Sequence, residues 1–206
     1  MNAFTQKISW CNVLLMTLLA FILLLPIASA KPQDWTDKGY SFKSIQRVCI
    51  QDMDMAGKVN TDIERRNLQQ LFQEKAAERL HAAQLVHSDH NMDVYVKASV
   101  LNYRVTQRVI PAHQETRYRT EHIHYTEKGQ KRTLSYEVPY QVYVPEEIIH
   151  TSNVRLRFDV YDAKTNQAIF SRDDTRVDDY STDLQRTYTK LVTAFYKELD
   201  KKISKG

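Results

Sequence analysis

The residues best suited to chemistry are histidines. The chain has seven: His81, His87, His90, His113, His122, His124 and His150. His122 and His124 stand two apart in an extended stretch, so both rings would face the same side of a strand. With His113, Glu115 or Glu121 they could hold a zinc ion, but a zinc site needs four ligands and a supporting shell, and only two are aligned. The spacing therefore reads first as exposed imidazoles on a polar arm. His87-Ser88-Asp89-His90 reads as a solvated turn. Asp173-Asp174 and Asp178-Asp179 are paired carboxylates, a type that serves hydrolysis or calcium binding. They lack the glycine turn and alternate-position spacing of a calcium loop, and read as solvated loop charges or caps before the last helix. No G-x-S-x-G, HExxH, Walker loop or G-x-G-x-x-G is present. No cofactor is called for, and the expectation is a protein that is not an enzyme.

A second group mixes cations with aromatic rings. Arg117-Tyr118-Arg119 lies near Arg104, Arg108, Lys128, Lys131 and Arg132. Such a surface suits nucleic acid inside a cell. Outside the cytosol the anions on offer are lipid headgroups, lipopolysaccharide phosphates and acidic polymers. The plainer use of these charges is to stop strand edges pairing between molecules.

The elements that must position these residues follow from periodicity. Tyr40–Ile50 reads as a first strand. Thr61-Asp62-Ile63-Glu64 fits a capping box. Behind it Ile63, Leu68, Leu71, Phe72, Ala76, Leu80 and Ala83 predict an amphipathic helix to about Val86. Asp93–Val109 reads as a long central strand ended by Pro111. Residues 114–145 form two extended arms about a turn at Glu127-Lys128-Gly129-Gln130. Leu134, Tyr136, Val138, Tyr140, Val142 and Val144 alternate onto one side, whereas the first arm is polar on both. Pro139 and Pro145 suit an edge or arm rather than a central strand. Asn153–Tyr161 is a strand with Val154, Leu156, Phe158 and Val160 inward, and Ala168–Ser171 begins its return. Thr182-Asp183-Leu184-Gln185 predicts a second capping box, followed by a helix carrying Leu184, Tyr188, Leu191, Val192, Phe195, Leu199 and Ile203. Two helices cannot cover both faces of such a sheet. The expected fold is α+β: a two-layer domain, mostly antiparallel, of five or six strands, with two helices on one face and a long projecting hairpin.

Residues 1–30 read differently. Lys7 precedes an apolar run, Val13–Leu25, then Pro26 and the small residues Ala28-Ser29-Ala30. This is the pattern of a secretory signal peptide cut before Lys31. The run is short for a span of about 20 residues, although an uncleaved leader would serve as a membrane anchor. Cys11 precedes the apolar core, so a lipid-anchored cysteine is disfavoured. Of 206 residues, 42% are hydrophobic and 26% charged, with 4 glycines and 2 cysteines. That composition excludes disordered, collagen-like and disulfide-rich classes. The net charge of +4 is too mild to imply nucleic acid. Residues 31–206 are expected to form one domain. Cys49 reads as a buried core side chain; an intermolecular bridge is the alternative in an oxidising compartment.

The segment Asn153–Tyr161, Asp162-Ala163-Lys164-Thr165 and Ile169-Phe170-Ser171 resembles the strand, D-x-x-T, aliphatic-aromatic-Ser hairpin of a group of bacterial envelope domains. That group includes the curli-secretion channel lipoprotein and the amino-terminal domain of the Tol–Pal translocation protein. The resemblance covers residues 40–108 and 153–203 in the order of elements, and is specific over about ten positions at the hairpin. It implies a non-enzymatic periplasmic module for assembly or binding. This chain lacks the family's lipid-anchoring cysteine and carries the 114–145 hairpin of its own.

The sequence therefore predicts an exported, periplasmic or extracellular protein that binds a protein or envelope component. Arg117, Tyr118, Arg119, Tyr136, Tyr140 and Tyr143 form the partner-binding set. Nucleic acid is excluded as a partner, while contact with a membrane surface and homo-oligomerisation stay open. The alternative is a metal or small-ligand carrier that uses His122 and His124.

Overall fold

The computed structural model describes residues 32–87 and 91–205. The expected leader over 1–30, and the turn beyond His87, lie outside the described residues. Eight strands and two helices follow in order: β1 (Gln33–Thr36), β2 (Arg47–Ile50), α1 (Asp62–Arg79), β3 (Gln84–Val86), β4 (Val94–Ile110), β5 (His113–Glu127), β6 (Gln130–Val144), β7 (Glu147–Asp162), β8 (Ala168–Asp179) and α2 (Leu184–Lys205). Six strands make a mixed sheet in the order β1-β8-β7-β4-β2-β3, and β5-β6 form a separate two-stranded sheet. β2 runs parallel to β3 and to β4; the other pairs are antiparallel. The fold is α+β, with both helices on one face of the sheet.

That face is built from alternation. Val94, Val96, Ala98 and Val100 of β4, and Val154, Leu156, Phe158 and Val160 of β7, are all buried. Phe158 stacks on Phe195 of α2 at 4.2 Å between ring centroids, and Phe72 of α1 lies 6.1 Å from Phe158. Each fully buried ring or branched side chain contributes about 1.5–3 kcal/mol. The two helices run side by side in the same direction. The Tyr188 hydroxyl donates to the Leu68 carbonyl near their starts (2.9 Å), and Phe72 packs on Tyr196 further along.

Thr61 caps α1 as expected, its Oγ1 accepting from the Glu64 amide at 3.2 Å. The helix stops at Arg79 rather than near Val86. The amides of His81 and Ala82 donate to Asp200 Oδ1 (2.6 and 2.7 Å), so α2 draws the chain off its helical path. Gln84–Val86 then joins the sheet beside β2, an edge strand that a helical period conceals. Ile63, expected in the core stripe, is exposed. The second cap is Asp183 rather than Thr182, because Asp183 Oδ1 accepts from the Arg186 amide at 2.8 Å. Only Arg47–Ile50 of the expected first strand is extended; Phe42–Ser44 is a short 3-10 turn. Ahead of the expected first strand, β1 pairs with β8 from Gln33 to Thr36.

The acidic pairs are strand residues rather than loop charges. Asp174 is buried against Arg172 at 2.8 Å, Asp173 receives Arg155, and Asp178 receives Arg176 and Lys190. The Asp162–Gln167 turn is held by Asp162 Oδ1, which accepts from the Lys164 and Thr165 amides and from the Thr165 hydroxyl. The D-x-x-T motif thus has a local turn-forming role in this chain. Cys49 is buried, as read from its strand.

Candidate functional site

β4 and β7 outrun the rest of the sheet. β8 pairs with β7 only as far as Thr151↔Asp179, while β4 and β7 continue together to Ile110↔Glu147. There Pro111-Ala112 and Pro145-Glu146 leave the ladder. Even-numbered residues of β7 face β8, as the His150 carbonyl accepting from the Ser181 amide and the Asp162 amide donating to Gln167 show, so Glu147 faces β4 and exchanges both of its hydrogen bonds with Ile110. Pairing resumes at His113↔Val144 and runs without a shift to Glu127↔Gln130. The arm formed by β5 and β6 is 15 residues long on each side, or about 50 Å at ~3.3 Å per residue.

Its tip fixes the geometry of the whole arm. Lys128 and Gly129 both have positive φ, 50° and 77°, which is the type I′ two-residue turn. Glu127 and Gln130 therefore exchange both main-chain hydrogen bonds. Counting back, odd-numbered residues of β5 bond inward to β6, and even-numbered residues turn their N–H and C=O outward. Pro139 stands opposite Tyr118, in a pair without main-chain bonds. Its nitrogen points away from β5, so the ladder loses nothing there.

The two faces differ sharply in chemistry. One carries Val144, Val142, Tyr140, Val138, Tyr136 and Leu134 from β6, opposite His113, Glu115, Arg117, Arg119, Glu121 and Ile123 from β5. Tyr125 opposite Arg132 completes it. Here the sequence reading needs correction: β5 is not polar on both faces, because Ile123 and Tyr125 join the apolar row. The other face holds Gln114, Thr116, Tyr118, Thr120, His122, His124 and Thr126 against Tyr143, Gln141, Pro139, Glu137, Ser135, Thr133 and Lys131. No residue of the arm is buried. Ile123, Tyr125, Leu134, Tyr136 and Tyr140 are all exposed on the apolar face.

Charges on the apolar face are paired, two along β5 and one across to β6 near the tip. Arg117 meets Glu115 at 3.2 Å, Arg119 meets Glu121 at 2.7 Å, and Arg132 meets Glu127 at 3.0 Å. The Tyr136 hydroxyl donates to Glu121 Oε2 at 3.0 Å, and that bond raises the phenol above its ordinary pKa. These exposed pairs are individually weak, about 0–1 kcal/mol. Their effect is to leave the face almost neutral.

Of the six residues expected to bind a partner, Arg117, Arg119, Tyr136 and Tyr140 share the apolar face. Tyr118 and Tyr143 lie on the opposite one, 63% and 67% exposed. His122 and His124 share a face as their spacing implies. Each ring meets a hydroxyl across the arm, His122 Nδ1 with Ser135 Oγ at 2.8 Å and His124 Nδ1 with Thr133 Oγ1 at 2.9 Å. Their proposed companions His113, Glu115 and Glu121 are on the other face, so the arm does not bring that ligand set together. Among the described residues there is no group of three or more His, Cys, Asp or Glu placed to hold a metal.

A cleft of about 370 Å³ opens where the starts of α1 and α2 meet Tyr103, lined by Thr61, Glu64, Asn67 and Asp183 among others. Burial, and then the neighbouring Glu64 carboxylate, raise the Tyr103 phenol well above its usual pKa. Sequence reasoning missed this cleft because it joins residues from three distant segments. Among the described residues no helix is long and apolar enough to cross a membrane.

No family model and no curated protein matches this chain. Solved structures do. Two structures of the PelC dodecamer from Paraburkholderia phytofirmans, one of a point variant, align over 82% of this chain and 96% of theirs, at 9% and 10% identity and TM-scores of 0.48 and 0.47. A PDZ domain protein from Parabacteroides distasonis aligns over 83% of this chain and 36% of its own, at 10% identity and a TM-score of 0.33. The hypothetical protein CT253 from Chlamydia trachomatis aligns over 77% and 93%, at 13% identity and 0.32.

Proposed function

We propose that this chain is an exported envelope protein that binds or assembles with a protein or envelope component and catalyses no reaction. Binding is through the arm and the neighbouring sheet edge. One observation carries this reading: an arm with no buried residue gathers Ile123, Tyr125, Leu134, Tyr136 and Tyr140, all exposed, on one of its two faces. An apolar row of this kind is unfavourable in water and is commonly kept for a partner. Aromatic and Arg side chains are also the types that dominate binding hot spots. The polar row on the opposite face, and the charges paired along β5, keep the arm soluble until it is covered. Export is supported by the leader pattern over 1–30. The resemblance to the envelope domain group points the same way.

The test is site-specific photo-crosslinking in cells. A photoreactive residue at Tyr140 or Tyr136 should give a discrete cross-linked product, and one at Glu137 or Gln141 on the opposite face should give less. Equal or absent products at all four positions would overturn the binding role of this face.

A further inference from the structure

We propose that the arm's partner is a second copy of this chain, joined through β5 in an antiparallel two-fold pairing centred on Thr120. This inference rests on the arm being a binding element and names what its β5 edge takes up; the Leu134, Tyr136 and Tyr140 row on β6 stays uncovered in that pairing.

The two long edges of the arm are not equivalent. On β6 the outward positions are the odd-numbered residues, and Pro139 sits among them without an N–H. That edge is interrupted near its middle, a standard device against strand addition. On β5 the outward positions are Gln114, Thr116, Tyr118, Thr120, His122, His124 and Thr126, with no proline among them. β5 therefore presents one unbroken row of main-chain donors and acceptors to anything extended enough to pair with it.

The side chains of β5 then select a register. An antiparallel pairing of two β5 strands places residue i opposite residue j, with i and j related by the two-fold axis. With the axis at Thr120, Gln114 faces Thr126, Thr116 faces His124 and Tyr118 faces His122. Every outward N–H and C=O from Gln114 to Thr126 is then bonded in both copies. On the apolar face Arg119 comes opposite Glu121 twice and His113 opposite Glu127 twice. Glu115 meets Tyr125 and Arg117 meets Ile123. No like charges are opposed.

Shifting the axis by one residue loses this match. An axis at Arg119 sets Arg119 against Arg119. An axis at Glu121 sets Glu121 against Glu121 and Glu115 against Glu127. An axis at Tyr118 opposes Arg117 to Arg119 and Glu115 to Glu121. Like charges directly opposite one another destabilise a strand pair. An axis at His122 avoids that clash but leaves Gln114 and Thr116 unpaired and sets His122 on His122. The alternating charges that would discourage indiscriminate pairing thus leave one full-length register open. The result is a four-stranded sheet whose new edges are the two β6 strands, each carrying Pro139.

Sedimentation of the purified protein tests this. The native chain should sediment as a dimer at micromolar concentration. T120P places a proline at an outward position of β5, as Pro139 already stands on β6, so the monomer should keep its fold by circular dichroism. The dimer should weaken at least about 100-fold. T120C should cross-link to itself on oxidation, whereas T126C should not, because Gln114 is its opposite residue; mixing Q114C with T126C should restore the cross-link. Cys49 is buried and does not compete. A native chain that stays monomeric at 100 μM, or a T120P variant that stays folded and dimeric, overturns the self-pairing. If the chain is monomeric but Tyr140 still cross-links to another protein, the binding role of the arm survives and only the occupant is wrong.

Discussion

Excising the arm should leave the body of the protein almost unchanged. The cut is set by the register. Ile110 and Glu147 are the last paired residues of β4 and β7, and by strand parity they exchange both hydrogen bonds. Replacing residues 111–146 with Asn-Gly would close that pair with the two-residue turn it requires. None of the removed residues is buried; Glu121, Val138, Val142 and Val144 are only half-buried. The loss of packing is therefore small, and stability should change by no more than about 1 kcal/mol, a shift in Tm below ~4 °C for a body of this size. Truncating a core ring such as Phe158, fully buried between Phe72 and Phe195, should cost about 3–5 kcal/mol by comparison. Thermal melts followed by near-ultraviolet circular dichroism would measure both. A shortened chain that melts without cooperativity, or that loses more than about 3 kcal/mol, would show that the arm is part of the core, and the reasoning from exposure would fail.

Other expectations follow from single sites. Arg172→Ala should destabilise the fold by about 3–5 kcal/mol, since it strands the buried Asp174 carboxylate, while Arg172→Met with Asp174→Leu should recover most of the loss in urea titrations. Recovery no better than the single change would refute the pairing argument. Acid should unfold the protein through its paired carboxylates. Hydrogen bonds from Arg47 and from the Gln46 and Arg47 amides, opposed by partial burial, hold Asp93 below its ordinary pKa of 3.8. Asp178 is also lowered: burial pushes it up, but Lys190, Arg176 and Thr187 outweigh burial. A depressed carboxylate adds stability that is fully present above its unfolded pKa and is lost as pH falls through the folded value. The loss should therefore lie below about pH 4, and Asp93→Asn should flatten it. Unchanged acid sensitivity would assign the effect to other groups. Zinc titration by calorimetry should give no heat at micromolar metal, because among the described residues no group of three His, Cys, Asp or Glu is placed to hold the ion, and each of the two rings, His122 and His124, meets a hydroxyl instead. A saturable signal abolished by His124→Ala would revive the carrier reading.

What the sequence disclosed was what strict alternation and period can encode. The β4 and β7 cores, the α2 stripe, the Thr61 cap and the tip turn each depend on residues adjacent in sequence or spaced at one repeat. The elements it hid depend on distant partners. Nothing local tells that Asp200 captures the chain behind Leu80, and the helical period in the sequence runs on past Arg79. β1 and β3 are edge strands of three or four residues whose identity comes from pairing, not from composition. The acidic pairs were read as solvated because their cations sit elsewhere: Arg155 across the strand, Lys190 on α2. The arm was visible, but its faces were not. Assigning Ile123 and Tyr125 to the row of Leu134 requires the hydrogen-bond count from Lys128-Gly129, and an amphipathicity test on β5 alone sees mostly polar residues on both sides.

The same count explains why prolines stand where they do. Pro139 occurs in the middle of a strand and removes no bond, because its nitrogen faces outward. Pro111 occurs where the two sheets part, next to the last bonded pair of β4 and β7, and its nitrogen also faces away from that ladder. One proline closes an edge to other molecules; the other separates an arm without buried contacts from a body whose strands are pinned by Phe158 and Val160. β4 and β7 are both central in that body, but beyond the end of β8 they run on as a two-stranded overhang with mostly exposed side chains before the arm begins. The residues proposed to meet a partner make no buried contact with the core, so substitutions on the arm should change recognition with little effect on folding.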